Sequence, residues 1–190
     1  MPNSLTSQDR TTLHTIAKES IDYSLQYSPK KPIEDCAQLS SYSASLQSLG
    51  ASFVTLTIQD KLRGCIGSLE ANQPLVIDVM QNARSAAFFD PRFPPVTQLE
   101  FNKLTIQLSV LSLPQAMSFT SEKDLLRQIQ PGIDGLVLED GNHRATFLPS
   151  VWETLPDANA FLRHLKQKAG VSMDYWSDTI TCARYTTECF

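Results

Sequence analysis

The sequence predicts an α+β protein: a mainly antiparallel sheet flanked by helices, with a smaller lobe that also contains strands. Three observations predict this class. Apolar and polar residues alternate in several short segments, as they do in strands that bury one face. In other segments, apolar residues recur at helical spacing. The two kinds of segment follow one another in mixed order rather than as a repeating strand–helix series, which disfavours a parallel sheet. The 190 residues suit a single domain, and we place the smaller lobe in part of residues 115–150.

The first helix is predicted by its cap. Thr6 is followed three residues later by Asp9, the spacing at which a side chain and the main chain satisfy each other at a helix start. Apolar residues then recur at helical spacing: Leu13, Ile16, Ala17 and Ile21. We predict an amphipathic helix over residues 7–27, ended by the prolines within residues 29–32. A serine-rich stretch after it carries a short second helix, which Gly50 closes.

A change from helical to alternating spacing at Ala51 predicts the first strand. Residues 59–61 supply a turn, and residues 62–67 return as the antiparallel partner in a hairpin. Asn72 predicts the start of a further helix over residues 73–87, because its side chain can accept a hydrogen bond from the first helical turn.

The next segment is irregular by composition. Residues 90–95 contain three prolines, which remove main-chain donors and fix φ, so neither helix nor central strand is expected there. Alternation over residues 104–110 predicts another strand. Ser121 and Asp124 then cap a short helix that stops at Pro131.

The last third of the chain reads as a hairpin, a helix and a strand. Asp140 and Gly141 stand between residues 135–138 and residues 145–148, and this dipeptide is a strong hairpin signal. A helix begins at Asp157 and ends before Gly170. A final strand is predicted over residues 181–185.

Composition excludes several classes of function. With 16 basic and 20 acidic residues, a formal charge of −4 and no basic block, we expect no nucleic-acid binding. The longest unbroken apolar run is only residues 86–89, so no membrane span is expected. The start of the sequence has neither the basic nor the apolar region of a secretory signal. The four cysteines form no C-x-x-C pair, so we predict reduced thiols and a cytoplasmic protein.

The segment with the most chemical potential is Leu62-Arg63-Gly64-Cys65-Ile66-Gly67. Glycines in a strand mark a bulge or the close approach of a backbone or ligand. Arg63 beside Cys65 would favour the thiolate, the reactive form of cysteine. On this interpretation Cys65 is the most reactive thiol of the chain. The alternative is that Cys65 is a small buried hydrophobic residue and that the glycines only allow the sheet to pack.

Three arginines form a second candidate site. Because guanidinium groups bind carboxylate or phosphate through two parallel hydrogen bonds, Arg63, Arg84 and Arg92 would together hold an anion. The alternative is that Asp90 pairs with one arginine and fixes the proline-rich loop.

Metal and cofactor sites have little support in the sequence. His14, His143 and His164 lie in separate predicted elements without the spacing of metal ligands, and the cysteines match no zinc pattern. Dinucleotide, P-loop and hydrolase signatures are missing. The sequence therefore predicts neither a metal nor a cofactor.

The chain resembles the AMMECR domain family. The resemblance covers almost the whole chain, and Leu62-Arg63-Gly64-Cys65-Ile66-Gly67 is its most specific part. It is carried by residues 50–56, 62–67, 82–88, 90–95, 132–135, 145–152 and 161–170. It implies a compact α+β fold with a smaller lobe, in a family without an assigned molecular activity. The family motif residues fall on Arg63, Gly64, Cys65, Gly67, Arg84, Asp90 and Arg92.

The resemblance also implies partners. Bacterial and archaeal members resemble the A component of the AmmeMemoRadiSam system, whose genes lie beside those of a Memo-like protein and a radical S-adenosylmethionine enzyme. This chain lacks the cysteine ligands of an iron–sulfur cluster, so radical chemistry would belong to the partner.

Two hypotheses about function remain open. In the first, a non-catalytic binding component presents its motif residues to an anionic small molecule or a partner protein; the binding residues are Arg63, Gly64, Gly67, Arg84, Asp90 and Arg92. In the second, the protein is a cysteine-dependent enzyme with Cys65 as nucleophile or carrier. The histidines lie outside the motif segments, and Asp90 would act as a base only if burial raised its pKa. We therefore prefer the binding component.

Overall fold

The computed structural model describes residues 5–29 and 36–190 of the chain. It divides into two compact units, the first formed by Met1–Leu111 with Glu188–Phe190 and the second by Ser112–Thr187. Residues 115–150, part of which is predicted to form the smaller lobe, lie within the second unit. Helices and two antiparallel sheets together confirm the predicted α+β class.

The first unit contains nine helices and strands between Ser7 and Leu111 among the described residues. They are α1 (Ser7–Gln26), a 3₁₀ helix (Cys36–Ser41), α2 (Ala44–Gln47), β1 (Leu49–Ile58), β2 (Lys61–Gly67), β3 (Gln73–Pro74), α3 (Leu75–Phe88), α4 (Gln98–Phe101) and β4 (Thr105–Leu111).

The remaining elements complete the chain. They are β5 (Gln115–Ala116), α5 (Glu122–Gln128), β6 (Gly135–Asp140), β7 (His143–Phe147), a 3₁₀ helix (Pro149–Glu153), α6 (Ala158–Lys168), β8 (Thr181–Tyr185) and β9 (Thr187–Cys189). No described helix is both long and apolar enough to cross a bilayer.

The first sheet has the strand order β2-β1-β4-β9, and β3 pairs with the beginning of β1. Helix α3 packs on β1 and β2, and α1 packs on α3 and β4, so the core lies between the sheet and these two helices. The chain leaves this sheet after β4 and returns to it only at β9, where Phe190 and Leu108 exchange two main-chain hydrogen bonds of 2.8 and 3.0 Å.

Helix α1 begins where its cap predicts. The Asp9 amide donates to Thr6 Oγ1 at 3.1 Å, and Thr6 donates its own amide to the Asp9 carboxylate at 2.9 Å. These two bonds confirm the predicted capping box. The helix ends at Gln26; of the prolines predicted to end it, Pro32 lies outside the described residues.

Two predicted boundaries are wrong. Gly50 does not close a helix but lies inside β1, and Asn72 does not cap α3. Residues Gln73–Pro74 instead pair with the beginning of β1. Helix α3 therefore starts at Leu75, whose amide donates to the Ser48 carbonyl at 2.9 Å. A main-chain acceptor brought in by strand pairing takes the place of a side-chain cap.

Buried polar groups join α3 to β1. Asp78 accepts hydrogen bonds from Ser52 Oγ at 2.7 Å and from Asn82 Nδ2 at 2.9 Å, and Asn82 Nδ2 also reaches the Ser52 carbonyl at 3.0 Å. All three residues are buried. Because buried polar groups are costly unless they are paired, this cluster fixes the helix against the strand in one register.

The second sheet has the order β5-β8-β6-β7. The predicted hairpin forms, but its turn residues are Gly141 and Asn142, because Asp140 pairs with His143 at the end of β6. Asp157 caps α6, as the sequence predicts. Trp152 anchors the core of this unit: its ring stacks on Phe161 with centroids 3.8 Å apart, and its Nε1 donates to the Asp134 carbonyl at 2.7 Å.

Candidate functional site

The candidate site lies along β2, which is the outer strand of the first sheet. The pairing of β2 with β1 is regular from Gly67 to Gly64 and then shifts by one position. Arg63 is the extra residue at this shift, which makes it a β-bulge. Bulges bend a strand and redirect a side chain, and they are frequent at functional edges of sheets.

Both glycines of β2 have a packing reason. A Cβ at Gly64 would lie 2.1 Å from the main-chain oxygen of Ala86, because α3 crosses β2 at that point. A Cβ at Gly67 would lie 2.3 Å from the ring of Phe53. The sequence predicts that these glycines mark a bulge or the close approach of a backbone or a ligand. The structure has a bulge next to Gly64 and the α3 backbone close to Gly64. The ligand contact predicted for them stays a prediction.

The main chain of Cys65 is held by the loop that follows α3. Its amide donates to Asp90 Oδ2 at 2.9 Å, and its carbonyl accepts from Arg92 Nη2 at 3.1 Å. The N–H and C=O of one residue in an antiparallel strand point to the same side, so Asp90 and Arg92 occupy both outward groups of Cys65. The Asp90–Arg92 ion pair thus satisfies the main-chain groups of Cys65 that a neighbouring strand would otherwise bond.

Asp90 and Arg92 form a bidentate pair. Arg92 Nε and Nη2 donate to the two Asp90 oxygens at 2.9 and 2.7 Å, and the Arg92 amide adds a bond of 3.1 Å. Asp90 is only 4% exposed. The hydrogen bonds from Arg92 hold the pKa of Asp90 well below its usual range, although burial alone would raise it. The alternative in which Asp90 pairs with an arginine and fixes the loop is therefore the observed arrangement.

Arg63 forms a second bidentate pair. Its Nε and Nη2 donate to the two oxygens of Glu100 at 2.8 and 3.2 Å. Glu100 also accepts from the amide and hydroxyl of Thr97, both at 2.9 Å, as the capping box of α4. The hydrogen bonds from Arg63 contribute most to lowering the pKa of Glu100 to about 2. Arg63 Nη1 is buried and has no hydrogen-bond partner among the described residues.

Phe93 brings the two arginines together. The guanidinium carbon of Arg92 lies 5.5 Å from the centre of its ring, and that of Arg63 lies 6.0 Å from it. Both distances allow cation–π attraction. We call this assembly the β2-edge site; its members are Arg63, Cys65, Asp90, Arg92, Phe93 and Glu100.

The Cys65 thiol is half-buried and lies 3.3 Å from Thr55 Oγ1 on the neighbouring strand. Arg92 donates hydrogen bonds to the Asp90 carboxylate and to the Cys65 carbonyl, and its guanidinium is also close enough to interact with the Cys65 thiol. Arg63 donates to Glu100. Asp90 does not have the raised pKa that a base at this site requires, because Arg92 lowers it.

A family model named AMMECR1 matches residues 14–190 of the chain. The chain belongs to the AMMECR1 family. This finding confirms the resemblance seen in the sequence.

Relatives and a solved structure agree with the assignment. Protein MJ0810 of Methanocaldococcus jannaschii is 38% identical over 146 residues, which are 73% of this chain and 71% of that protein. A protein of Methanococcus aeolicus is 40% identical over 65% of this chain and 64% of its own length. The crystal structure of uncharacterized protein PH0010 from Pyrococcus horikoshii matches with a TM-score of 0.73 and 31% identity, covering 93% of this chain and 88% of that one.

Not every predicted residue joins the site of this AMMECR1-family chain. The structure brings together Arg63, Cys65, Asp90 and Arg92. Arg84 lies on α3 and is half-buried, so its part in an anion site stays a prediction.

Glu100 and Phe93 take part in the site although sequence reasoning gave neither of them a role. The role of Glu100 at the start of α4 was predictable from the sequence, because Thr97 and Glu100 have the spacing of a capping box. Its pairing with Arg63 spans 37 residues and has no local signature.

The histidines are not members of the β2-edge site. His143 Nδ1 lies 3.1 Å from the Ala169 carbonyl, and His164 Nδ1 lies 2.8 Å from the Ala160 carbonyl. Within residues 5–29 and 36–190, no group of three or more His, Cys, Asp or Glu side chains is placed to hold a metal ion.

The described thiols differ in burial, and we expect maleimide to label them in the order Cys189, Cys65, Cys182. Cys189 is exposed and Cys65 is half-buried, whereas burial raises the pKa of Cys182 to about 12. A thiol that is both buried and protonated reacts slowly. Timed labelling of the folded protein, with mass mapping of the peptides, measures the order.

The same experiment tests the sequence-based prediction that Cys65 is the most reactive thiol. If Cys65 is labelled before Cys189, its thiol is more reactive than its solvent exposure explains, and the enzyme hypothesis gains support. If Cys189 leads, the predicted activation by arginine is wrong.

Proposed function

We propose that this AMMECR1-family chain is a non-catalytic binding component whose β2-edge site receives an acidic, partly apolar segment of a partner protein. One observation carries the proposal. The Arg92 guanidinium is fixed by Asp90 and by the Cys65 carbonyl, yet its side chain is 53% exposed. A guanidinium held in place with donors facing solvent is preorganised to bind a carboxylate.

Exposed apolar residues next along the chain to members of the site favour a protein over a small ion. Leu62, Phe89 and Leu99 are 44%, 48% and 81% exposed. Each is the chain neighbour of a member of the β2-edge site, respectively Arg63, Asp90 and Glu100. Large apolar residues around buried arginine and aromatic groups are typical of the centre of a protein interface.

Charge balance supports the same choice. Arg63 is neutralised by Glu100 and Arg92 by Asp90, so the site carries little excess positive charge. A small free anion such as phosphate would gain little from entering it. An acidic segment gains chiefly by covering the apolar side chains, and its carboxylate adds a hydrogen bond to the exposed Arg92 guanidinium.

The partners proposed are a Memo-like protein and a radical S-adenosylmethionine enzyme. Their support is the family relationship. Either partner would need to offer an acidic, partly apolar surface segment to fit this site.

Replacing both Leu62 by Thr and Leu99 by Ser should weaken binding to such a partner about tenfold. Both side chains are exposed, so the fold should be retained, which circular dichroism checks. The matched control is Leu113→Ser in the second unit, where the replaced side chain is 55% exposed. Affinity is measured by titration with a Memo-like protein and with a radical S-adenosylmethionine enzyme, each taken from the same organism.

Two outcomes would contradict the proposal. If neither protein binds at modest salt, the proposed partners are wrong. If the double variant binds as tightly as the wild type while Leu113→Ser does not differ from either, the partner does not use the β2-edge site.

A further inference from the structure

A cleft lies in the first unit between α1 and the segment that connects α4 to β4. Its volume is about 370 Å³, which falls within the range of small-molecule sites in proteins. Among the residues that line it are His14, Lys18, Phe101, Asn102, Leu104 and Ile106. None of them belongs to the β2-edge site.

One wall of the cleft is cationic and polar. His14 and Lys18 are one helical turn apart on α1, so both side chains lie on the same face. Among the described residues, Lys18 forms no ion pair. His14 packs edge-on against Phe190, with ring centres 5.6 Å apart, and its ring nitrogens form no hydrogen bond that involves a described residue. Asn102 adds an amide to this wall.

The other wall is apolar. Phe101, Leu104 and Ile106 are half-buried, and they pack against the core of the first unit. No carboxylate lines the cleft. Three carboxylates lie close along the chain, and none forms an ion pair with Lys18 among the described residues. Glu100 is bound to Arg63 and Asp22 accepts from Gln26, while Glu19 is the chain neighbour of Lys18 on α1.

We infer that this cleft binds a small organic acid with an apolar body. The carboxylate lies against Lys18, with His14 and Asn102 as further donors, and the body covers Phe101, Leu104 and Ile106. An ammonium without a carboxylate partner attracts an anion, and the apolar wall gains free energy when it is covered. The two requirements together define the ligand class.

The probe for the test is phenylacetate, a carboxylate with an apolar ring, titrated into ¹⁵N-labelled protein and followed by NMR. We expect shift changes at the amides of the residues that line the cleft. Phenylacetamide has the same ring without the charge, and it should bind at least about fivefold more weakly. Lys18→Gln should weaken phenylacetate binding by a similar factor. Because Lys18 is exposed, this variant retains the fold.

The matched control is Lys103→Gln, which removes an exposed lysine just before β4 that does not line the cleft. Its affinity for phenylacetate should equal that of the wild type. The inference is overturned if phenylacetate shifts no cleft amide, if phenylacetamide binds as tightly, or if both lysine variants weaken binding equally. It is also overturned if inorganic phosphate alone produces the same shifts, since the apolar wall would then play no part.

Discussion

Gly64→Ala is expected to lower the free energy of unfolding by about 3 kcal/mol or more, at the upper end of the cost of overpacking. The added Cβ would lie 2.1 Å from the Ala86 carbonyl oxygen, and real Cβ atoms essentially never come within 3.0 Å of another atom. The obstacle is helix backbone, which no rotamer change can move. Either β2 or α3 must shift, and the shift would disturb the main-chain bonds of Cys65 as well. Urea unfolding followed by circular dichroism measures the loss.

The control for this variant is Gly132→Ala. There φ is +79° and nothing lies within 4 Å of the added Cβ, so the cost is conformational and about 1 kcal/mol. If the two variants lose equal stability, the contact between Gly64 and α3 is not what requires glycine.

Asp90→Asn is expected to lower the free energy of unfolding by about 2–3 kcal/mol near neutral pH. This is less than the loss of a partner in a fully buried ion pair, because the Arg92 side chain is partly exposed to water. Asparagine keeps the shape of the side chain and one acceptor but loses the charge that pairs with Arg92. The amide of Cys65 should also exchange faster with solvent, since its acceptor Asp90 Oδ2 is replaced. Hydrogen exchange at Cys65 therefore gives a local measure beside the global one.

The effect of Asp90→Asn should depend on pH in a defined direction. The folded pKa of Asp90 is lowered, so its carboxylate stabilises the protein fully above the unfolded pKa of about 3.9. This contribution is lost as the pH falls toward the folded value. The difference in the free energy of unfolding between the wild type and the variant should therefore become smaller below about pH 4.

The matched control is Glu188→Gln, which removes the partner of Arg10 from an ion pair in the same unit that is about 40% exposed on both sides. Glu188→Gln should change the free energy of unfolding by no more than about 0.5 kcal/mol. A cost for Asp90→Asn as small as this would show that the pair does not fix the loop to β2.

Elements with a local signal were predicted well from the sequence. The caps of α1, α5 and α6 depend on residues three apart, and the hairpin of β6 and β7 depends on Asp140 and Gly141, so a short stretch of chain determines each of them. The start of α3 was predicted wrongly because the pairing of Gln73–Pro74 with β1 overrides the local preference of Asn72. The short β3, α4, β5 and β9 were missed, since each is too short to show a period.

The same distinction applies to the β2-edge site. Asp90 and Arg92 are two residues apart, and their pairing was among the alternatives that the sequence offered. Arg63 and Glu100 are 37 residues apart, and only the fold brings them together. The apolar residues around the site gave no signal, because burial is a property of the folded chain.

The late return of the chain to its first sheet has a consequence for synthesis on the ribosome. Strand β4 is complete at Leu111, but its outer neighbour β9 begins at Thr187. Until those later residues have left the exit tunnel, the emerging protein exposes the unpaired amides and carbonyls of β4, and such an open edge invites other nascent chains to pair with it. The edge of β4 stays unpaired for as long as the second unit is being translated. The need for chaperones should therefore depend on the length of the second unit and not on the first unit itself.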